Sequence, residues 1–165
     1  IRLNFWSPCL ELRQRHLPQA DGRCLLCGEI QQDQFHMIIH CRVTNDLWDA
    51  LFPLLYDLFP VGISEREFCF GLGGKRTVVR LRDYVTFSLR STIHSHRNLN
   101  LGGQIRSKEI ILKRFKENIQ RDLRIKHETA IVANKIDQFR DTYLLKNALG
   151  KIVEGRILFS TYLTE

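Results

Sequence analysis

The chain has no apolar run approaching the roughly 18 residues that cross a bilayer and a single methionine, Met37. Its most apolar stretch, "LWDALFPLLYDLF" at 47–59, is too short and carries Asp49 and Asp57. Residue 1 lies in ordinary amphipathic sequence without a signal-peptide profile. We therefore expect a soluble chain with no membrane partner, cut from a longer protein. Internal repeats and low-complexity tracts are missing, as is any Ser/His/Asp or Cys/His arrangement whose spacing supports a nucleophile. "GLGGKRT" falls short of a phosphate-binding loop, because Cys69 stands where the first glycine belongs and Arg76 follows Lys75. We read it as a flexible basic turn.

What is present suffices for a core. Of 165 residues 44% are apolar, ten of them Phe, enough for one or two compact domains. We divide the chain into 1–60 and 61–165. Charge is unevenly placed: residues 75–127 hold fourteen Lys and Arg against four Asp and Glu, a surplus of +10, whereas 42–74 carries two against five and the remainder balances. A basic excess gathered in one third of a chain favours a polyanion partner. Five cysteines is an odd number, and three of them lie within 18 residues of one another beside a histidine. That pattern fits metal binding in a reducing compartment better than a disulfide framework.

Apolar spacing predicts a mainly α fold. Ser7 and Pro8 open a short helix at about 8–17. Thr44 is placed to cap a helix in which Leu47, Trp48, Leu51, Phe52, Leu55, Leu58 and Phe59 recur at helical spacing, kinked but not ended by Pro53. Residues 61–76 read as a connector with room for one short strand. Val78, Leu81, Val85, Leu89 and Ile93 mark a second helix from Thr77 to about His96, with Arg80, Arg82, Arg90 and Arg97 mostly on other faces. A third helix opens at Ser107 and buries Ile111, Phe115, Ile119 and Leu123. Residues 134–149 continue as helix, with Ile136, Phe139, Tyr143 and Leu149 inward. Past Gly150, "KIVEGRILFSTYL" is either a hairpin turning at Glu154-Gly155 or more helix. His94 and His96 read as a solvated pair, and Cys9 and Cys69 as lone buried thiols.

The strongest local signal is "CLLCGEIQQDQFHMIIHC", in which Cys24, Cys27, His36 and Cys41 give Cys-x2-Cys-x8-His-x4-Cys. Three thiolates and one imidazole complete a tetrahedral zinc shell at about 2.0–2.3 Å. Cys-x2-Cys supplies the tight turn, and Gly28 tolerates its backbone angles. His40 adjoins Cys41, and neighbouring ligands seldom reach one ion, so His36 is preferred. Leu25, Leu26, Phe35, Met37, Ile38 and Ile39 are placed to form an apolar shell. With four positions filled, the single zinc is expected to be structural. A zinc hydrolase would need an open position and a base, for which Glu29 is the only close candidate.

These residues carry a resemblance. Cys24, Cys27, Gly28, His36, Cys41 and the Leu47-Trp48 pair in "CRVTNDLWDAL", approached through "DGRC" at 21–24, resemble the carboxyl-terminal reverse-transcriptase zinc-binding domain of LINE-type non-LTR retrotransposons. The motif match covers about residues 7–60; beyond it only the order of elements, ending in a basic helical tail, is similar. The resemblance implies a parent RNA-directed DNA polymerase with endonuclease activity, which nicks a chromosomal target and copies its own RNA there. It also implies an intracellular protein, in a cytoplasmic ribonucleoprotein and in the nucleus. The chain itself lacks the polymerase's Asp-Asp pair and is not expected to be an enzyme. Nothing after the cluster looks like the Pro-Asp and Asp/Lys signature of a restriction-like nuclease, which favours the branch carrying its nuclease at the amino end.

Independently of the resemblance, a zinc-stapled helical module with so basic a segment would hold RNA or DNA phosphates largely without sequence selectivity. The candidate contacts are Lys113, Arg114, Lys116, Arg121, Arg124 and Lys126, then Arg76, Arg80 and Arg82. Glu117 with Arg121 and Asp122 with Lys126 stand at ion-pairing spacing. Phe115, Tyr84 and Phe87 are assigned to the core rather than to base stacking. The competing reading is an architectural module whose acidic, apolar 42–74 segment docks on the polymerase body.

Overall fold

Residues recurring every four positions, as Ile111, Phe115, Ile119 and Leu123 do, drift slowly around a helix and can line one long buried stripe. In a computed structural model, which describes residues 23–24, 26–29, 35–58, 64, 66–67, 71, 77–100 and 107–164, this stripe is the axis of the fold. A π-helical turn (His36–His40) precedes helix α1 (Arg42–Leu58), followed by α2 (Thr77–Asn100), α3 (Lys108–Val132) and α4 (Ile136–Tyr143). A 3-10 turn (Leu145–Asn147), strands β1 (Gly150–Val153) and β2 (Arg156–Phe159), and a last helical turn, α5 (Thr161–Thr164), complete the order. The fold is mainly helical with one small antiparallel hairpin near its carboxyl end.

Helix α3 is touched by α1, α2, α4, β2 and α5. Its four stripe residues are fully buried, and the stripe runs on through His127 and Ala130. Leu81, Val85, Leu89 and Ile93 of α2 and Leu47, Trp48, Leu51 and Leu54 of α1 pack into the same core. Ser107 takes the extended N-cap conformation expected of it. The short helix expected at 8–17, the 61–63 and 72–76 connector, Cys9, Cys69, and the placements of Leu55, Leu58, Phe59 and Val78 lie outside the described residues.

Several expectations are corrected. Helix α1 starts at Arg42, not after Thr44; the Thr44 hydroxyl is buried in the first turn and donates to the Cys41 carbonyl at 2.9 Å. Phe52 is 62% exposed, because Leu54 takes the inward position and leaves Phe52 tilted against Tyr56, ring centroids 6.0 Å apart. Helix does not run through 134–149. Asn134 has φ 53°, and Lys146 and Asn147 have φ 53° and 57°, so left-handed residues stop the chain on either side of α4. Phe139 and Leu149 are nonetheless buried as expected, with Ile136 and Tyr143 half-buried. His96 is buried and His94 half-buried, contrary to the solvated pair expected, and Arg90 and Arg97 are buried too, because α1, α3, α4 and the 3-10 turn all pack on α2. Polar groups inside α2 are met locally: Thr86, Ser88 and Thr92 donate to the carbonyls of Arg82, Tyr84 and Ser88.

The hairpin turns at Glu154-Gly155 with φ 49° and 74°, the double positive φ of a type I′ turn, pairing Val153 with Arg156 and Gly150 with Phe159. Gly150 itself has φ 151°, and a Cβ there would stand 2.6 Å from the Leu158 carbonyl oxygen. Gly150→Ala should therefore destabilise the fold by more than about 1 kcal/mol. Gly155→Asn, with open space around the new side chain, should be close to neutral; urea unfolding of both variants checks the contrast.

Candidate metal centre

The first pair of donors is set by a turn closed on itself. Gly28 N–H donates to the Cys24 carbonyl and Cys24 N–H to the Glu29 carbonyl, both at 2.8 Å. Gly28 has φ 78°, which a side chain would resist. This folds Cys24 and Cys27 back toward each other, and the Arg42 guanidinium holds the Cys27 carbonyl at 3.3 Å.

The second pair depends on a different turn. In an α-helix, neighbours on one face are three or four apart, so positions five apart diverge. Cys41 N–H donates to the His36 carbonyl at 2.7 Å, closing an i to i+5 turn over His36–His40. The His-x4-Cys spacing is thus the spacing of a π-turn, a form frequent at functional sites. Behind it Ile38 is fully buried, and the Trp48 indole N–H donates to the Ile38 carbonyl at 2.6 Å. Leu26, Phe35 and Ile39 pack at the core's edge, so this part of the expected apolar shell exists. Leu25 and the Met37 side chain lie outside the described residues.

All four donor atoms, from Cys24, Cys27, His36 and Cys41, lie within 4.8 Å of one another. The Sγ atoms of Cys24 and Cys41 are 3.9 Å apart, and Cys27 Sγ is 3.4 Å from His36 Nε2. Tetrahedral bonds of 2.3 Å to sulfur and 2.0–2.1 Å to nitrogen require donor separations of about 3.8 and 3.6 Å. The residues therefore fit one metal ion. His40 is exposed and stands outside the group.

Electrostatics point the same way. A hydrogen bond from the Cys41 thiol draws Cys24 down to about 4, while that bond, reinforced by burial, pushes Cys41 up. Burial likewise raises Cys27. Cys24 is 2% and Cys41 0% exposed, so three thiolates so close together would repel without a compensating cation. A divalent ion supplies that charge and releases the remaining protons. Four protein donors would fill a tetrahedral shell around one ion, the donor count of structural zinc sites.

Four of the expected basic residues share one exposed face of α3, and the other described ones lie apart from it. Lys113, Arg114, Arg121 and Arg124 are exposed on α3 away from its buried stripe. Arg114 lies 3.9 Å from Glu117, Arg121 donates to Asn118, and Arg124 covers the Phe159 ring. Glu117 thus pairs with Arg114 rather than with the expected Arg121. Lys116 is half-buried beside Leu51, Leu54 and Tyr162, where α1 meets α5. Lys126 forms the expected pair with Asp122 at 3.1 Å and lies over the Tyr84 and Tyr143 rings. Burial lowers Arg82, which sits near Glu67 and Asp83; Arg80 is exposed, and Arg76 lies outside the described residues.

Periodicity gave no hint of an open cleft of about 1040 Å³ where α2, the end of α3 and α4 meet. Arg80, Lys126 and Lys135 line it, with Phe87 on one wall. Phe87 is 53% exposed, not a core residue as expected; Phe115 is fully buried and Tyr84 half-buried. Among the described residues no helix is long and apolar enough to cross a membrane.

No family model, curated protein or solved structure matches the chain.

Purified protein should carry one metal ion per chain. His36→Ala and Cys41→Ser should lose it and His40→Ala should keep it, read by elemental analysis. Apparent binding free energies of structural zinc run to about 10–16 kcal/mol, against about 5–15 kcal/mol for a whole domain. Chelation should therefore unfold 35–58, seen as lost amide protection there.

Proposed function

We propose that this chain is a zinc-stabilised nucleic-acid-binding module from the carboxyl-terminal region of a LINE-type reverse transcriptase, holding template RNA or target DNA during target-primed reverse transcription. The observation that carries the reading is the closed four-donor cluster, with its atoms within 4.8 Å, in a chain whose positive surplus is confined to 75–127. Zinc is the ion that three thiolates and an imidazole in a tetrahedron favour, being soft enough for sulfur and free of a geometric demand of its own. The module contributes position rather than chemistry. The parent supplies polymerisation and nicking, and the remainder of that reverse transcriptase is a partner beside the nucleic acid. The setting that goes with the reading is a cytoplasmic ribonucleoprotein and the nucleus.

One observation favours a second reading, an architectural module that docks on the polymerase body. Helix α1 exposes Phe52 and Tyr56 side by side, 62% and 59% accessible, with the exposed Asp49 one turn before Phe52; Asp46 pairs with Lys108 at 3.1 Å. A pair of bare aromatics beside a carboxylate suits a protein surface better than a phosphate backbone.

Titration of the metal-loaded chain against labelled single-stranded RNA and duplex DNA at several salt concentrations, repeated after chelation, separates the two. The nucleic-acid reading expects log affinity to fall linearly with log salt, by about 0.7 per phosphate contact on a single strand and 0.9 on a duplex, and expects binding to vanish with the metal. Weak binding that neither salt nor chelation changes would give the function to docking.

A further inference from the structure

Phe87 is the starting point. Its sequence context assigns it to the core, yet 53% of it meets solvent, on the wall of the cleft between α2, the end of α3 and α4. A half-exposed aromatic in a concavity offers an apolar surface that a ligand can cover. The charges around it say what would. Among the described residues lining the cleft, Arg80, Arg90, Lys126 and Lys135 face a single carboxylate, Asp83. Lys126 is already engaged with Asp122; Arg80 and Lys135 are exposed, one on α2 and the other at the turn into α4.

The shape limits the ligand further. At about 1040 Å³ the cleft reaches the upper end of the 300–1,000 Å³ usual for small-molecule pockets, and it is open rather than enclosed. An extended chain fits that better than a compact metabolite. Cations and an exposed aromatic lining one cleft are the side-chain types that track a phosphate backbone while a base stacks. A duplex keeps its bases stacked on one another and offers no free face to Phe87.

Resting on the nucleic-acid reading above, we infer that this cleft is the seat of a single-stranded polynucleotide, with an unpaired base stacked on Phe87 and backbone phosphates on Arg80 and Lys135. The outer face of α3, with Lys113, Arg114, Arg121 and Arg124, then contributes only long-range attraction. Neither Phe87 nor Lys135 figures among the contacts expected from charge patterning.

The test uses the metal-loaded chain, a labelled single-stranded RNA and a duplex DNA. Phe87→Ala should weaken single-strand binding about 5- to 100-fold while leaving its salt slope unchanged, Phe87→Trp should restore it, and duplex binding should not respond. Arg80→Glu and Lys135→Glu should each flatten the single-strand salt slope by about 0.7. All four variants change exposed side chains, at three positions, and metal content with amide protection of α3 confirms that each variant is folded. Wild-type binding that is steep in salt but indifferent to all these changes would overturn the cleft as the site and leave the nucleic-acid reading standing. Absence of wild-type binding would remove both. Equal binding of a poly-glutamate peptide of matched charge, lost in the same variants, would give the cleft to an acidic protein partner instead.

Discussion

A single helix cannot bury a stripe of Ile111, Phe115, Ile119 and Leu123 by itself, and α3 solves this by drawing α1, α2, α4, β2 and α5 onto it from different sides. The remaining structure follows from that demand. Because α2 and α4 meet α3 near its carboxyl half, a cleft is left where the three diverge. Because α1 meets it from another side, the metal-binding segment is held at the edge of the same core, through Ile38 and Trp48. Fully burying one large aliphatic or aromatic side chain contributes about 1.5–3 kcal/mol, so the stripe outweighs any surface ion pair that accompanies it, each worth about 0–1 kcal/mol.

The two ends of the chain are stabilised in different ways. Around α3 the core is continuous and local geometry is regular. Among the described residues between Cys24 and Cys41, Ile38 is the fully buried aliphatic side chain, with Leu26, Phe35 and Ile39 partly so. Ordering such a segment costs conformational entropy. Four donors converging on one ion would help to offset that cost.

Much of this was legible in the sequence. Stripes at helical spacing located α1, α2 and α3 and most of their buried residues, because one-sided burial leaves a period in the chain. The Glu154-Gly155 turn was readable from turn chemistry, although choosing hairpin over helix needed the pairing of Ile152 with Ile157. The donor residues were visible because their spacing has few other uses. Other placements were not legible. Arg97 continues the four-residue spacing of Leu81, Val85, Leu89 and Ile93, and Arg90 and His96 stand three residues either side of Ile93, so their polarity rather than their position is what pointed outward. The break at Asn134 is a left-handed residue that the apolar pattern ran straight through. Phe87 was assigned inward by residue type, whereas it lies two residues from both Val85 and Leu89 and so turns away from the buried stripe of α2. The basic residues were correctly seen as abundant; Lys113, Arg114, Arg121 and Arg124 share the outer face of α3, whereas Lys116 and Lys126 are half-buried on other faces and Arg80 and Arg82 belong to α2.

Cys41 concentrates these relations in one residue. Its N–H closes the π-turn to His36, its carbonyl receives both the Thr44 hydroxyl and the Asn45 N–H at the start of α1, and its thiol belongs to the cluster. Starting a helix is the unfavourable step, since several residues must be fixed before the first bond forms. An ion that fixes Cys41 has already fixed the first turn of α1. A metal bound there would act as the nucleus of that helix, and its apparent affinity would contain the free energy of helix initiation as well as that of four bonds.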